Sequence, residues 1–216
     1  MKKKIVVEAV VDIVCPWCFV GKKSLLDAVA QSRSEFDIEV RFLPFQLDAS
    51  TPREGVSRSE YLKKKFGSDS RFQAAEEMVQ KAAKAAGTEI HFEKMHVHIN
   101  TFDCHRLIWW ATQDGKQVEV TTAIYDAYFV KGEDLSKIEN LKIVMSRAGY
   151  EPQKVEEFLK SSQGTQEVQN LIEETYNLGV SGVPFFILNR EIGISGAQPK
   201  EIFLQAFQET ETHLED

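Results

Sequence analysis

Two cysteines, Cys15 and Cys18, stand three residues apart in Val14-Cys15-Pro16-Trp17-Cys18-Phe19, where an apolar run gives way to an expected helix. Thiols at that spacing close a disulfide and reopen it by exchange with another thiol, so the first chemistry suggested is two-electron redox chemistry at sulfur. With Cys15 at the helix N-cap, its sulfur is expected to face first-turn N–H groups that lack an intrahelical acceptor, Cys18's among them. The positive end of the helix favours a thiolate there by about 0.3 to 1 kcal/mol, and direct hydrogen bonds to sulfur must supply any larger effect. Pro16 suits the first helical position, because its φ is already helical and its missing N–H would go unused. This makes Cys15 the nucleophile and Cys18 the resolving thiol one turn on. Trp17 between them offers no positive charge to hold a thiolate. The same spacing supplies half of a zinc site, but no second Cys-x-x-Cys occurs in the chain.

Other groups compete for a part in that chemistry. Glu8 and Asp12 fall on one face of the run ahead of the cysteines, where a carboxyl group could relay protons during exchange; the alternative is that both are solvated at a sheet edge. Cys104 shares a helix face with Leu107, Ile108 and Ala111, the pattern of a buried, inert thiol. His91, His96 and His98 invite a metal reading, but their spacing fits no zinc pattern and a solvated loop is expected. Lys63-Lys64-Lys65 reads as a solvated helix face.

A chain of 216 residues, 43% hydrophobic and 27% charged, is long enough for one large domain or two small ones. Its net charge of −7 sets aside general nucleic-acid binding, which needs a concentrated basic surface. Met1-Lys2-Lys3-Lys4 ahead of Ile5 to Val14 resembles a secretory signal, yet Glu8 and Asp12 interrupt the apolar stretch and no small-residue cleavage site precedes Cys15. The stretch reads as a strand. No segment approaches the ~20 apolar residues of a membrane span, and the chain is expected in the cytoplasm. Three cysteines make no disulfide scaffold.

The elements that must position the cysteines follow in order. Ile5 to Val14, apolar at nearly every position, is expected as a strand covered on both faces in a parallel sheet. A helix from Pro16 to about Ser32 and a strand from Ile38 to Phe45 complete a β-α-β unit. After Pro44 come helical periods with hardly a strand candidate. Helices stop at Gly67, Gly87, Gly149 and Gly179; Asn100 caps one, Val118 to Phe129 forms another, a Ser136/Glu139 capping box opens a third and Pro152 a fourth. Val183 to Leu188 and Ile192-Gly193-Ile194 then read as a hairpin across Asn189-Arg190. Pro199 opens a last helix with Ile202, Phe203, Ala206 and Phe207 inside. The expectation is an α/β fold in which residues 1–50 and 180–216 build one sheet, interrupted by an all-α insertion over 51–179.

That order, with Cys15-Pro16-Trp17-Cys18 after the first strand and Gly182-Val183-Pro184 before the third, resembles the thioredoxin fold with a helical insertion found in the DsbA family. The closer resemblance is to its FrnE-like branch. It spans nearly the whole chain and is carried by Val14 to Lys22, Phe42-Leu43-Pro44-Phe45-Gln46-Leu47, Pro52-Arg53-Glu54-Gly55-Val56, Asn100 to Leu107, Gly179 to Phe186 and Ser195-Gly196-Ala197-Gln198-Pro199. The resemblance implies a thiol–disulfide oxidoreductase acting on protein or small-molecule disulfides and thiols. Pro184 would be a cis-proline facing the cysteines, leaving the Val183 backbone free to pair with an extended substrate beside Pro16 and Trp17. No metal and no prosthetic group are implied, and glutathione is a candidate redox partner. In the helical block, expected as a lid, Asn100, Thr101 and His105 are the candidates for meeting substrate, since their stretch begins at a helix N-terminus.

Cys104 departs from the pattern, since relatives carry a small residue such as alanine there, and a three-thiol mechanism stays open. A second reading is a glutathione-dependent isomerase or transferase, like 2-hydroxychromene-2-carboxylate isomerases and kappa-class glutathione transferases. Those typically carry serine for the first cysteine, so Cys15 disfavours it. A third is a non-catalytic adaptor whose Cys-x-x-Cys holds a metal. The direction of exchange, the substrate and the oligomeric state are not legible in the residues.

Overall fold

A computed structural model describes residues 2–212. The chain opens with β1 (Lys3–Val11), α1 (Pro16–Ser32) and β2 (Phe36–Pro44). A largely helical stretch follows: β3 (Val56–Ser57), α2 (Arg58–Phe66), α3 (Asp69–Ala85), β4 (Val97–His98), α4 (Phe102–Gln113), α5 (Gln117–Tyr125), α6 (Ile138–Arg147), α7 (Pro152–Lys160) and α8 (Thr165–Asn177). β5 (Phe185–Leu188), β6 (Ile192–Ser195) and α9 (Lys200–Thr212) end it. The main sheet runs β2-β1-β5-β6, so both ends of the chain build it. β1 pairs in parallel with β2, Val7 facing Val40, and antiparallel with β5, Val7 facing Leu188. The sheet is therefore mixed and not parallel. β1 is nonetheless covered on both faces: Ile5, Val7, Ala9 and Val11 join the main core, while Val10 packs with Leu43, Phe45 and Val180 on the other side.

Local chemistry explains where the elements differ from expectation. β1 ends at Val11, because the Asp12 carbonyl is taken by the Cys15 N–H (3.1 Å) and by the Tyr125 hydroxyl (3.0 Å), which turns the chain. The capping box at Ser136 does not form. The Ser136 hydroxyl donates to Asp134 Oδ1 at 2.6 Å and α6 starts after Lys137. Thr101, not Asn100, holds the N-cap position of α4, although Asn100 Oδ1 accepts the Phe102 N–H at 2.9 Å. The helix begun at Gln117 runs on as a π-helical segment, Asp126–Val130. Two short strands, β3 and β4, pair antiparallel inside the stretch expected to be all-α. Ile202 is 40% exposed, and the buried face of α9 is formed by Phe203, Ala206 and Phe207 with Thr210. The hairpin turn is as expected, with Asn189 and Arg190 both at positive φ (50° and 61°), the geometry a two-residue turn demands.

Arg106 ties the helical elements together. It is buried, and its guanidinium donates to the carbonyls of Phe158, Ser161 and Gln163 and to Asp103, so it binds the carbonyls at and beyond the end of α7. Among the described residues no helix is long and apolar enough to cross a membrane.

Lys22 is the buried cation of α1, with its ammonium 5.3 Å from the Phe19 ring centroid and 5.4 Å from that of Tyr125. Burial lowers its pKa from 10.5 to about 8, against the opposing pull of the Asp126 charge. The unfolded chain keeps the ordinary value. Between pH about 8 and about 10.5 the unfolded chain therefore holds the extra proton and stability rises with pH, whereas below about 8 a buried charge weakens the fold. Lys22→Met is expected to stabilise the protein at pH 7 by about 1–2 kcal/mol. The gap in melting temperature between the two proteins should shrink as pH climbs through that window.

Candidate active site around Cys15 and Cys18

The turn after β1 sets Cys15 at the N-cap of α1 in an extended conformation (φ −87°, ψ 110°), with Pro16 opening the helix. Its sulfur does not receive the first-turn N–H groups. The Cys18 N–H donates to the Cys15 carbonyl at 3.0 Å, and the Cys15 thiol donates in turn to the Val183 carbonyl at 3.6 Å. The Val183–Pro184 peptide bond is cis. α1 lies close to this loop because Gly21 carries no side chain: a Cβ there would meet the Phe186 ring at 3.0 Å and the Pro184 ring at 3.2 Å. The two ends of the chain thus meet at sulfur. Cys15, Cys18, Pro16, Trp17, Val183 and Pro184 come together, while the helical-block candidates lie elsewhere.

The two thiols differ in environment. Cys15 retains 4% of its surface and Cys18 none. Burial pushes the Cys18 thiol well above its usual pKa, and the hydrogen bond with the Cys15 sulfur and the Asp12 charge push the same way. Cys104 is buried too, and burial followed by the charges of Asp103 and Asp12 raises its pKa. All three are free thiols.

Asp12 stands behind the pair, 1% exposed. Its Oδ2 accepts the Leu47 N–H at 2.7 Å, whereas Oδ1 has no hydrogen bond among the described residues and lies 3.4 Å from His105 Nε2. His105 Nε2 is 3.0 Å from the Phe45 carbonyl, which can only accept, so this nitrogen carries the proton. Glu8, on the same face by alternation, takes no part: it is bound by Arg190 at 2.9 Å. Neither carboxylate is solvated.

Cys15 opens onto a cavity of about 240 Å³ between the Cys15-Pro16-Trp17 corner and the helices α2 and α3. Phe66, Phe72, Phe92 and Met95 supply apolar wall, and Arg58, Lys65 and His98 are among its polar groups. His98 corrects the solvated-loop expectation. It is 7% exposed and stacks on Tyr61 with centroids 3.5 Å apart and planes at 10°. Burial lowers its pKa to about 4, which leaves the ring neutral at pH 7. His96 is exposed and His91 pairs with Glu93. Among the described residues no His, Cys, Asp and Glu group is placed to hold a metal ion. The apolar flanks Val97 and Ile99 were the available signal for His98, and nothing in the spacing linked it to Tyr61.

Asn100 lines a separate open cleft of about 850 Å³, and its amide donates to the Thr51 carbonyl. Thr101 is buried, and its carbonyl accepts the His105 N–H. His105 borders a third cleft, of about 490 Å³, and reaches the cysteines only through Asp12.

Residues 6–208 match the family described as DSBA-like thioredoxin domain. A crystal structure of a probable DsbA oxidoreductase from Streptomyces coelicolor superposes with a TM-score of 0.88 at 32% identity, covering 95% of this chain and 89% of that one. The cytosolic disulfide reductase DsbM from Pseudomonas aeruginosa, solved with GSH, gives 0.67 at 16% identity over 96% and 99% of the two chains. A 2-hydroxychromene-2-carboxylate isomerase gives 0.69 at 16% identity over 97% and 95%.

Proposed function

Because the chain belongs to the DsbA-like thioredoxin domain family, we propose that it is a thiol–disulfide oxidoreductase working through Cys15-Pro16-Trp17-Cys18. The Cys15 thiolate attacks a disulfide sulfur, expels one substrate thiolate and leaves a mixed disulfide. Cys18 then attacks the Cys15 sulfur, the second substrate thiolate leaves, and two electrons have passed from the protein to the substrate. Run backwards, the same steps oxidise a dithiol. Asp12 takes the Cys18 proton, since its charge reaches Cys18 and its Oδ1 has no donor bound. His105 Nε2 lies 3.4 Å from that oxygen but gives its proton to the Phe45 carbonyl, which leaves Oδ1 open to the thiol proton.

The observation that carries this reading is the asymmetry of the thiols, one at the mouth of a cavity and one fully buried a turn behind it. Val183 presents the backbone to substrate and Pro184 shapes the groove beside Pro16 and Trp17. Residues 51–179 serve as an inserted helical unit that covers the cysteines, on a discontinuous thioredoxin-like unit of 1–50 and 180–216; residues 1 and 213–216 lie outside the described structure. Glutathione, protein thiols and small disulfides are the proposed partners, in the cytoplasm. Titrating the protein against a graded dithiothreitol or glutathione couple is expected to show one two-electron transition between the dithiol and the Cys15–Cys18 disulfide. A folded protein without that transition would overturn the reading.

The cavity beside Cys15 also suits an isomerase that holds a thiol-bound substrate, the second reading. Cys18→Ser separates the two, because isomerisation needs no resolving thiol whereas net disulfide turnover does.

A further inference from the structure

We propose that the cavity beside Cys15 binds a low-molecular-weight disulfide whose sulfur is borne on a single aromatic ring with an acidic substituent, in preference to a cystine of a folded protein. This rests on the reading of Cys15 as the exchanging thiol. Cys15 keeps only 4% of its surface and lines the cavity, the route we assign to a partner sulfur. The space, about 240 Å³, is below the ~300–1,000 Å³ of sites for drug-sized ligands and fits one ring. Phe66, Phe72 and Phe92 line it with aromatic rings, with Met95 as a polarisable neighbour for ring or sulfur.

Two polar groups are left for a ligand. His98 lines the cavity, held by its stack on Tyr61, and its buried Nε2 has no hydrogen-bond partner among the described residues, a cost that a ligand atom reaching it would relieve. Lys65 lies at the rim and forms no ion pair among the described residues; its ammonium is 3.5 Å from the Tyr61 hydroxyl. The other cation, Arg58, is already satisfied by Glu76 at 2.7 Å and lies 5.0 Å from the Phe92 ring centroid. Lys65 is therefore the charge that selects an acid. In the exchange the Cys15 thiolate displaces one aryl thiolate from the aryl disulfide, Cys18 displaces the second, and the aryl disulfide is reduced while Cys15 and Cys18 are oxidised. A dithiol such as dithiothreitol restores the protein.

The test uses 4-(methylthio)benzoate, which has the ring, the acid and a sulfur but cannot exchange, titrated into the reduced full chain and followed by NMR. Saturable binding is expected. It should be lost in Ala75→Phe, which fills the cavity, weakened about tenfold in His98→Phe and about threefold in Lys65→Gln, with melting curves showing that each variant folds. No saturable binding to the parent protein, or binding unchanged in Ala75→Phe, overturns the proposal. Faster turnover, in kcat/KM, of a protein disulfide than of 4,4′-dithiobis(benzoate) overturns it as well. Titrating Cys15 and Cys18 against dithiothreitol on the same sample keeps the two questions apart: a redox transition without binding removes the cavity proposal alone, and binding without a transition removes the exchange reading.

Discussion

Replacing Cys15 by serine is expected to reduce disulfide exchange to background, and replacing Cys18 is expected to stop it one step later. A serine hydroxyl at position 15 can still donate to the Val183 carbonyl, which the thiol meets at 3.6 Å, so the fold has little reason to weaken. It cannot displace a thiolate from a disulfide. In Cys18→Ser the first attack proceeds and the mixed disulfide at Cys15 has no internal thiol to resolve it, so the adduct accumulates. Intact-mass measurement after one equivalent of disulfide reads both outcomes: no adduct on Cys15→Ser, one on Cys18→Ser. Burial holds Cys18 and Cys104 as thiols, their pKa values raised, so neither takes over the first attack. An adduct on either of them in Cys15→Ser would reverse the assigned roles.

Asp12→Asn is expected to slow turnover by about 10²-fold or more, the lower range of a lost general base, without loss of stability. The carboxyl group is 1% exposed and only one of its oxygens is hydrogen-bonded among the described residues, so its burial is poorly compensated. Asparagine keeps the shape and the acceptor for the Leu47 N–H. A residue kept for packing would show the opposite pattern, unchanged turnover and a lower melting temperature. The step affected is resolution by Cys18, so rapid mixing with a chromogenic disulfide should show a first thiolate released at nearly the parent rate and a second released slowly. Equal slowing of both phases would remove Asp12 as the base for Cys18.

Much of the fold was legible because the chain punctuates itself. Gly67, Gly149 and Gly179 stand at positive φ where helices end, Pro16 opens α1, and Asn189-Arg190 makes the turn between β5 and β6. What was not legible turned on competition between neighbours. Ser136 and Glu139 have the spacing of a capping box, yet Asp134 is closer at hand for the serine hydroxyl. Period-two alternation set Glu8 and Asp12 side by side, but β1 stops at Val11, and only the tertiary structure gives Glu8 to Arg190 and leaves Asp12 beneath the cysteines. The sequence reads His98 as solvated because its stacking partner, Tyr61, lies on a different element with no pattern linking the two. The cysteine pair is visible in four consecutive letters; the cavity it opens onto is made by α2 and α3, whose inward residues read simply as helix faces.

The pairing of β1 with β5, Val10 facing Phe185, sets a timetable for the protein's synthesis. β1, Cys15 and Cys18 leave the ribosome well ahead of β5, and the strand that must lie against β1 is made some 175 residues later, roughly 10 to 35 s at bacterial and eukaryotic elongation rates. Until then one edge of the central strand is unpaired, open to other chains. Contacts so distant in sequence also close slowly even when the chain is complete. The Val183 carbonyl that the Cys15 thiol meets arrives with the same late segment. A ribosome-bound chain therefore carries both cysteines without the groove that directs them, and only the arrival of β5 and β6 turns a pair of ordinary thiols into a site.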